Sequence, residues 1–269
     1  MVNSALGRRI ASAAVLAPLA VAATIAGPPW FSLVVGLFAA AMGWEWARLC
    51  GGSKPDRSLV GVAIAIMMMV TLATEWLGPA AALLVALPGG LLVGVIQRRP
   101  SARAALAGAG MAYLAVAVAA VLAMRGEATT SALPVLWLFS VVWAADIAAY
   151  FTGKSVGGPR LAPAISPGKT WSGFAGGTIA AVLVGWVLAR WFGAPTPGAA
   201  VGIALVLAVV AQIGDLAESA AKRYFGVKDA SGLIPGHGGV LDRLDGLMAA
   251  ALALAAMRLL VGEDFTGWQ

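Results

Sequence analysis

Nine apolar runs, at 10–27, 30–49, 59–77, 79–96, 104–123, 133–151, 172–192, 198–214 and 246–261, take up most of this 269-residue chain. A run of roughly 17–25 apolar residues, wound as a helix, matches the hydrocarbon thickness of a bilayer. None of the runs shows the period-2 alternation of a membrane β-barrel, so they read as helices. Composition removes the soluble alternative. Only 11% of the residues are charged, 61% are hydrophobic and the mean hydropathy is +0.90, whereas soluble domains carry about 25% charged residues. Disorder needs the reverse, low hydrophobicity with high charge. The expected fold is all-α, a polytopic transmembrane helical bundle of about nine spans.

Basic residues alternate between the two sides of that bundle. The N-terminus and every second loop hold 15 of the 18 Lys and Arg residues, leaving only Arg125, Arg190 and Arg258 opposite. Positive charge favours the cytoplasm, which predicts a cytoplasmic N-terminus and an outside C-terminus. Arg8-Arg9 before an apolar run also looks like a signal peptide, but the alternation requires an uncleaved first span. Residues 1–130 are expected to supply about five scaffold spans. Residues 131–269 supply the remaining spans and the cytoplasmic catalytic loops, all within one integrated membrane domain. The net charge of +6 belongs to this sidedness and does not call for a nucleic-acid partner.

The available ligands limit the chemistry. Cys50 is the only cysteine and His237 the only histidine, so an internal disulfide and a zinc site of the usual kind are both excluded. A metal here would be held by carboxylate, backbone or phosphate oxygens, which favours magnesium, as one ion or two. Residues 1–140 contain four acidic residues, Glu45, Asp56, Glu75 and Glu127, while 141–269 contain eight. Glu45 sits at the cytoplasmic end of the second span and is expected to pair with Arg48. Function is therefore expected in the C-terminal half, since charge beside hydrocarbon is costly unless paired or used.

Two segments stand out there. The first runs from Asp146 through Tyr150-Phe151 and Gly153-Lys154 to Ser166-Pro167-Gly168-Lys169-Thr170. Gly168-Lys169-Thr170 looks like the end of a P-loop, but Pro163 occupies the place of the first glycine. Ser166, Lys169 and Thr170 can still hold phosphate ahead of a helix start. The second segment, 214–245, contains nine of the thirty charged residues. On a helix, Asp215, Glu218 and Lys222 would share a face, with Arg223 adjacent. Lys228, His237, Gly238, Gly239 and Arg243 are candidate phosphate or nucleotide contacts, the glycines because they let backbone approach a polyanion. Asp215, Asp242 and Asp245 are the expected cation ligands, with Asp146 a weaker fourth. Together these residues suit cation-assisted chemistry on a phosphorylated substrate at the cytoplasmic surface.

The order Ser219, Lys222-Arg223, Lys228-Asp229, Pro235, His237-Gly238-Gly239, Asp242-Arg243, Asp245 resembles the signature of the phosphatidate cytidylyltransferases, the bacterial CDP-diacylglycerol synthases. Asp146 to Trp171 and Gly214-Asp215-Leu216…Glu218-Ser219 are similar to that family too. Ala221 and Ser172 depart from its pattern without removing a candidate ligand. The resemblance implies that CTP and phosphatidic acid give CDP-diacylglycerol and pyrophosphate, with Asp215, Lys222, Arg223, Asp242 and Asp245 as catalytic residues. It further implies magnesium dependence, a homodimer and a multi-pass location in the cytoplasmic (inner) membrane. A secondary transporter of an anionic solute is the alternative, although it would place its charges near the midplane between repeated halves. A CDP-alcohol phosphotransferase is disfavoured because Asp245-Gly246 is followed by Leu247-Met248-Ala249-Ala250.

Overall fold

The computed structural model describes residues 2–52, 56–97, 101–126, 132–194, 196–236 and 238–261, without the side chains of 2–6, 8–10 and 261. His237, Lys54, Arg98 and Arg99, all used in the sequence argument, lie outside the described residues. Nine helices are present among those described. They are α1 (Val2–Ala26), α2 (Trp30–Gly51), α3 (Arg57–Leu77), α4 (Pro79–Ile96), α5 (Ala102–Arg125), α6 (Ala132–Ser155), α7 (Trp171–Trp191), α8 (Pro197–Tyr224) and α9 (Leu241–Val261). The seven from α2 to α8 are long and apolar enough to cross a membrane, and the described apolar part of α1 covers Ala11–Ala26. The protein is a multi-pass helical membrane protein.

The chain forms two compact units. The first comprises Met1–Glu127 with Tyr224–Leu244, and the second Ala128–Arg223 with Asp245–Gln269. The loop 225–240 and the first turn of α9 therefore belong with the N-terminal helices.

Small residues set the packing in each unit, as expected where close backbone approach replaces the hydrophobic drive. In the first, α4 meets α5 at Gly90 and Gly108, and a methyl on Gly90 would come within 2.7 Å of the Gly108 carbonyl oxygen. The Trp46 indole of α2 lies directly on Gly110 of α5 and donates to the Ala107 carbonyl at 2.8 Å. The Arg125 guanidinium closes the far end of this unit, donating from Nε to the Thr24 carbonyl at 2.6 Å.

In the second unit Gly173 and Gly177 of α7 face the Ala149 and Ala145 carbonyls of α6. Trp137 of α6 donates to the Gly185 carbonyl at 2.8 Å. Gly214 of α8 abuts Ala249 of α9, and a methyl on Gly246 would stand 3.1 Å from the Ala211 carbonyl oxygen. A short antiparallel hairpin, β1 (Arg160–Ala162) with β2 (Ser166–Thr170), leads into α7.

Candidate active site

In the second unit the chemistry gathers where the hairpin meets α8 and α9. α8 continues well past its apolar run, so Asp215, Glu218 and Lys222 fall on helix turns, three and four residues apart. Lys169, near the end of β2, reaches across to Asp215 with Nζ to Oδ2 at 2.7 Å, and its ammonium also lies 3.5 Å from the Gln212 carbonyl oxygen. Lys222 is buried and pairs with Glu218 at 3.1 Å. Asp245, whose carboxylate accepts from Gly246 N at 2.7 Å, lies close enough to Asp215 and Glu218 to feel their charges. Three carboxyl groups and two lysines are thus electrostatically linked. Like charges this close repel unless a cation or a proton joins them.

The other candidates of this unit lie on α6, on the hairpin and at the end of α8. Ser166 begins β2, half-buried. Thr170 is buried and caps α7, its hydroxyl accepting from Gly173 N at 3.0 Å. That glycine and Gly153 of α6 are small because Thr170 stands between them. A methyl on Gly153 would lie 2.9 Å from its hydroxyl oxygen. Gly168, by contrast, is exposed and has open space beside it. Arg223 is exposed and donates from Nε to the Ile165 carbonyl at 3.3 Å, tying the end of α8 to the hairpin turn. Asp146 is exposed on α6.

The first unit holds the rest. The Asp242 carboxylate accepts from Ala230 N at 3.0 Å and Gly239 N at 2.7 Å, closing the loop before α9. Gly238 has φ +84° and pairs in an isolated bridge with Ile234. Lys228 and Arg243 are exposed. Glu45 departs from the sequence expectation. It does not pair with Arg48, whose guanidinium instead lies over the Trp44 ring at 4.6 Å. The fully buried Glu45 carboxylate accepts from Ser231 Oγ, Val240 N and Leu241 N. Glycines at 238 and 239 were expected to admit a polyanion. In the structure they accommodate the protein's own carboxylates, since a methyl on Gly239 would sit 2.6 Å from Glu45 Oε1.

Sequence reasoning gave Glu45 and Glu218 no role in the site and did not single out Gln212. Gln212 donates to the Phe174 carbonyl and Thr178 hydroxyl within the second unit, at 3.4 and 3.3 Å. The signal that could have found Glu45 is scarcity, because residues 1–140 contain only four acids.

Among the described residues no group of three or more His, Cys, Asp or Glu side chains is arranged to hold a metal ion by itself. Magnesium does not need such a cage. It is commonly held by one or two carboxylates together with substrate phosphates and water. Asp215 and Asp245, oxygen donors of the second unit close enough to feel each other's charge, fit that demand.

A multi-pass helical protein with a cluster of lysines and carboxylates where two helices meet has the equipment of a membrane protein that handles phosphates. Comparison with known proteins narrows the class. Residues 7–261 match the model of the cytidylyltransferase family, and the chain belongs to that family. A phosphatidate cytidylyltransferase of Brucella suis is 43% identical over 227 residues, covering 83% of this chain and 81% of the relative. That of Pseudomonas aeruginosa is 34% identical over 263 residues, covering 94% and 96%. The Bacillus subtilis enzyme of the same name is 46% identical over 109 residues, 40% of either chain.

Proposed function

We propose that the protein makes CDP-diacylglycerol and pyrophosphate from CTP and phosphatidic acid, as a step of phospholipid biosynthesis. The single observation that carries this reading is its likeness, over most of its length, to phosphatidate cytidylyltransferases. The lysine–carboxylate cluster of the second unit supplies the physical means.

A phosphate oxygen of phosphatidic acid attacks the α-phosphorus of CTP. A new P–O bond forms, and the bond to the β-phosphate oxygen breaks as pyrophosphate leaves with its electrons. Two polyanions must approach, so charge neutralisation and alignment are the main tasks. Lys169 and Lys222, which now hold Asp215 and Glu218, turn to substrate phosphates, and Arg223 adds a forked donor. Ser166 and the open backbone at Gly168 lie on the same strand as Lys169 and are suited to hydrogen-bond the triphosphate. Asp215 and Asp245 would hold magnesium, which would supply charge neutralisation at the phosphates.

CTP reaches this cluster from the cytosol, and the lipid enters from the bilayer with its headgroup at the interface. On family resemblance we expect a homodimer in the cytoplasmic membrane, which light scattering of the detergent-solubilised protein would test. The activity itself is tested by pyrophosphate release from purified protein given phosphatidate and each nucleoside triphosphate in turn. Release that requires both phosphatidate and a cytidine nucleotide is the expected result. Release without phosphatidate, or none with any nucleotide, would overturn the reading.

A further inference from the structure

We propose that Glu45 of α2 is a positioning residue for this reaction, fixing the turn that enters α9 and thereby the direction of Asp242 and of Asp245, one turn further along the same helix. The inference rests on the function proposed above. It is carried by the burial and bonding of Glu45, which lies far from the cytidylyltransferase signature in sequence.

A carboxylate with no exposed surface is costly unless its oxygens are satisfied. Glu45 is 0% exposed, and all of its partners are donors: Ser231 Oγ at 2.5 Å and Val240 N at 2.9 Å on Oε1, and Leu241 N at 2.6 Å on Oε2. Only an ionised carboxylate presents acceptors alone on both oxygens. Glutamine has the same shape but would turn an NH2 group toward a donor. The identity of the residue is therefore set by charge and not by volume.

The anchor lies at a particular place. The first amides of a helix attract anions, and at α9 that anion is Glu45. The start of α9 is thus filled by the protein itself. Two residues along, the Asp242 carboxylate accepts from Gly239 N and Ala230 N. The segment 239–242 hangs from two carboxylates, one reaching in from α2 and one belonging to the segment. Gly238 and Gly239 are both pressed by them. A methyl on Gly238 would lie 2.9 Å from Asp242 Oδ2, and one on Gly239 2.6 Å from Glu45 Oε1. Loosening the first carboxylate moves the second.

The test uses the full-length protein in detergent and its Glu45→Gln variant. Four quantities are measured: kcat, KM for CTP and phosphatidate, the magnesium concentration giving half-maximal rate, and amide exchange at Val240 and Leu241. Displacing a site residue by about an ångström commonly costs up to ~100-fold in rate. The expected result is a kcat lowered by roughly 10- to 100-fold, unchanged KM for phosphatidate, a raised magnesium requirement and faster exchange at both amides. A merely structural anchor would lower the unfolding temperature and speed exchange, yet leave kcat per folded molecule and the magnesium titration at parental values. That outcome would overturn the proposal.

If Glu45→Gln does not fold, Ser231→Ala carries the test by removing one of the three bonds. A several-fold fall in kcat with intact folding supports the proposal, and parental kcat overturns it. A parent protein that releases no pyrophosphate would sink the functional reading instead. The exchange measurement would still report whether Glu45 holds the turn.

Discussion

Lys169 and Asp215 approach to 2.7 Å with side chains that are 22% and 35% exposed, so water and salt weaken their pairing. An exposed pair of this kind contributes about 0–1 kcal/mol to stability. Lys169→Ala should therefore unfold close to the parental temperature while losing on the order of 100-fold in turnover, the loss typical of removing one charge-stabilising group. Thermal unfolding beside pyrophosphate release separates the two effects, and parallel losses would make the lysine structural. The two aspartates of α9 should also part company. Asp245 accepts one backbone amide, that of its neighbour Gly246 at 2.7 Å, and feels the charges of Asp215 and Glu218, so relieved repulsion offsets the lost bond and Asp245→Asn should fold about as well as the parent, with turnover nearly abolished. Asp242 accepts two backbone amides, and Asp242→Asn should cost about 1–3 kcal/mol of stability as well as activity. From the sequence these aspartates, three apart, looked equivalent. What divides them is which backbone donors reach each one, and spacing does not encode that.

The apolar runs located all nine helices, most to within about four residues, but α1 starts eight residues before its run, α9 starts five before, and α8 runs ten residues beyond its expected end at 214. Bilayer thickness fixes the length of an apolar run, whereas a polar extension shows only in the spacing of Asp215, Glu218 and Lys222. The hairpin of β1 and β2 was not visible at all. Strands of three and five residues, the second carrying Pro167 and Gly168, are too short for a period to appear. Glu45 was missed for a related reason, since its partners lie 186 to 196 residues away and only Arg48 was near in sequence. At this scale the cap and the close crossings are the sensitive points. Thr170→Ala removes the hydroxyl that caps α7 and should cost about 1 kcal/mol, read as a fall in unfolding temperature. Gly214→Leu would force a side chain into Ala249 and should cost more, typically 1–3 kcal/mol for overpacking.

For the whole molecule the charge pattern makes a statement about sidedness. With nine spans, 15 of the 18 basic residues would fall on one side, so the chain should begin in the cytoplasm and end outside it. A reporter fused after Gln269 should be active only outside the cytoplasm, and activity inside would require an even number of spans. The same arrangement would put the second-unit cluster within reach of soluble nucleotide.

The ion pair between Lys169 and Asp215 has one more consequence. A tethered ammonium is a competitor that cannot diffuse away, and a short tether gives it an effective concentration in the millimolar range. Free magnesium at ordinary cellular levels would then contend with Lys169 for the same carboxylate, and would bind poorly until phosphate drew the lysine off. Nucleotide and cation would become mutual effectors, each raising the other's affinity by the same factor, as linkage demands. Lys169→Ala should therefore shift two affinities in opposite directions. Manganese, used as a paramagnetic stand-in, should bind the nucleotide-free protein more tightly than it binds the parent, while CTP binds more weakly.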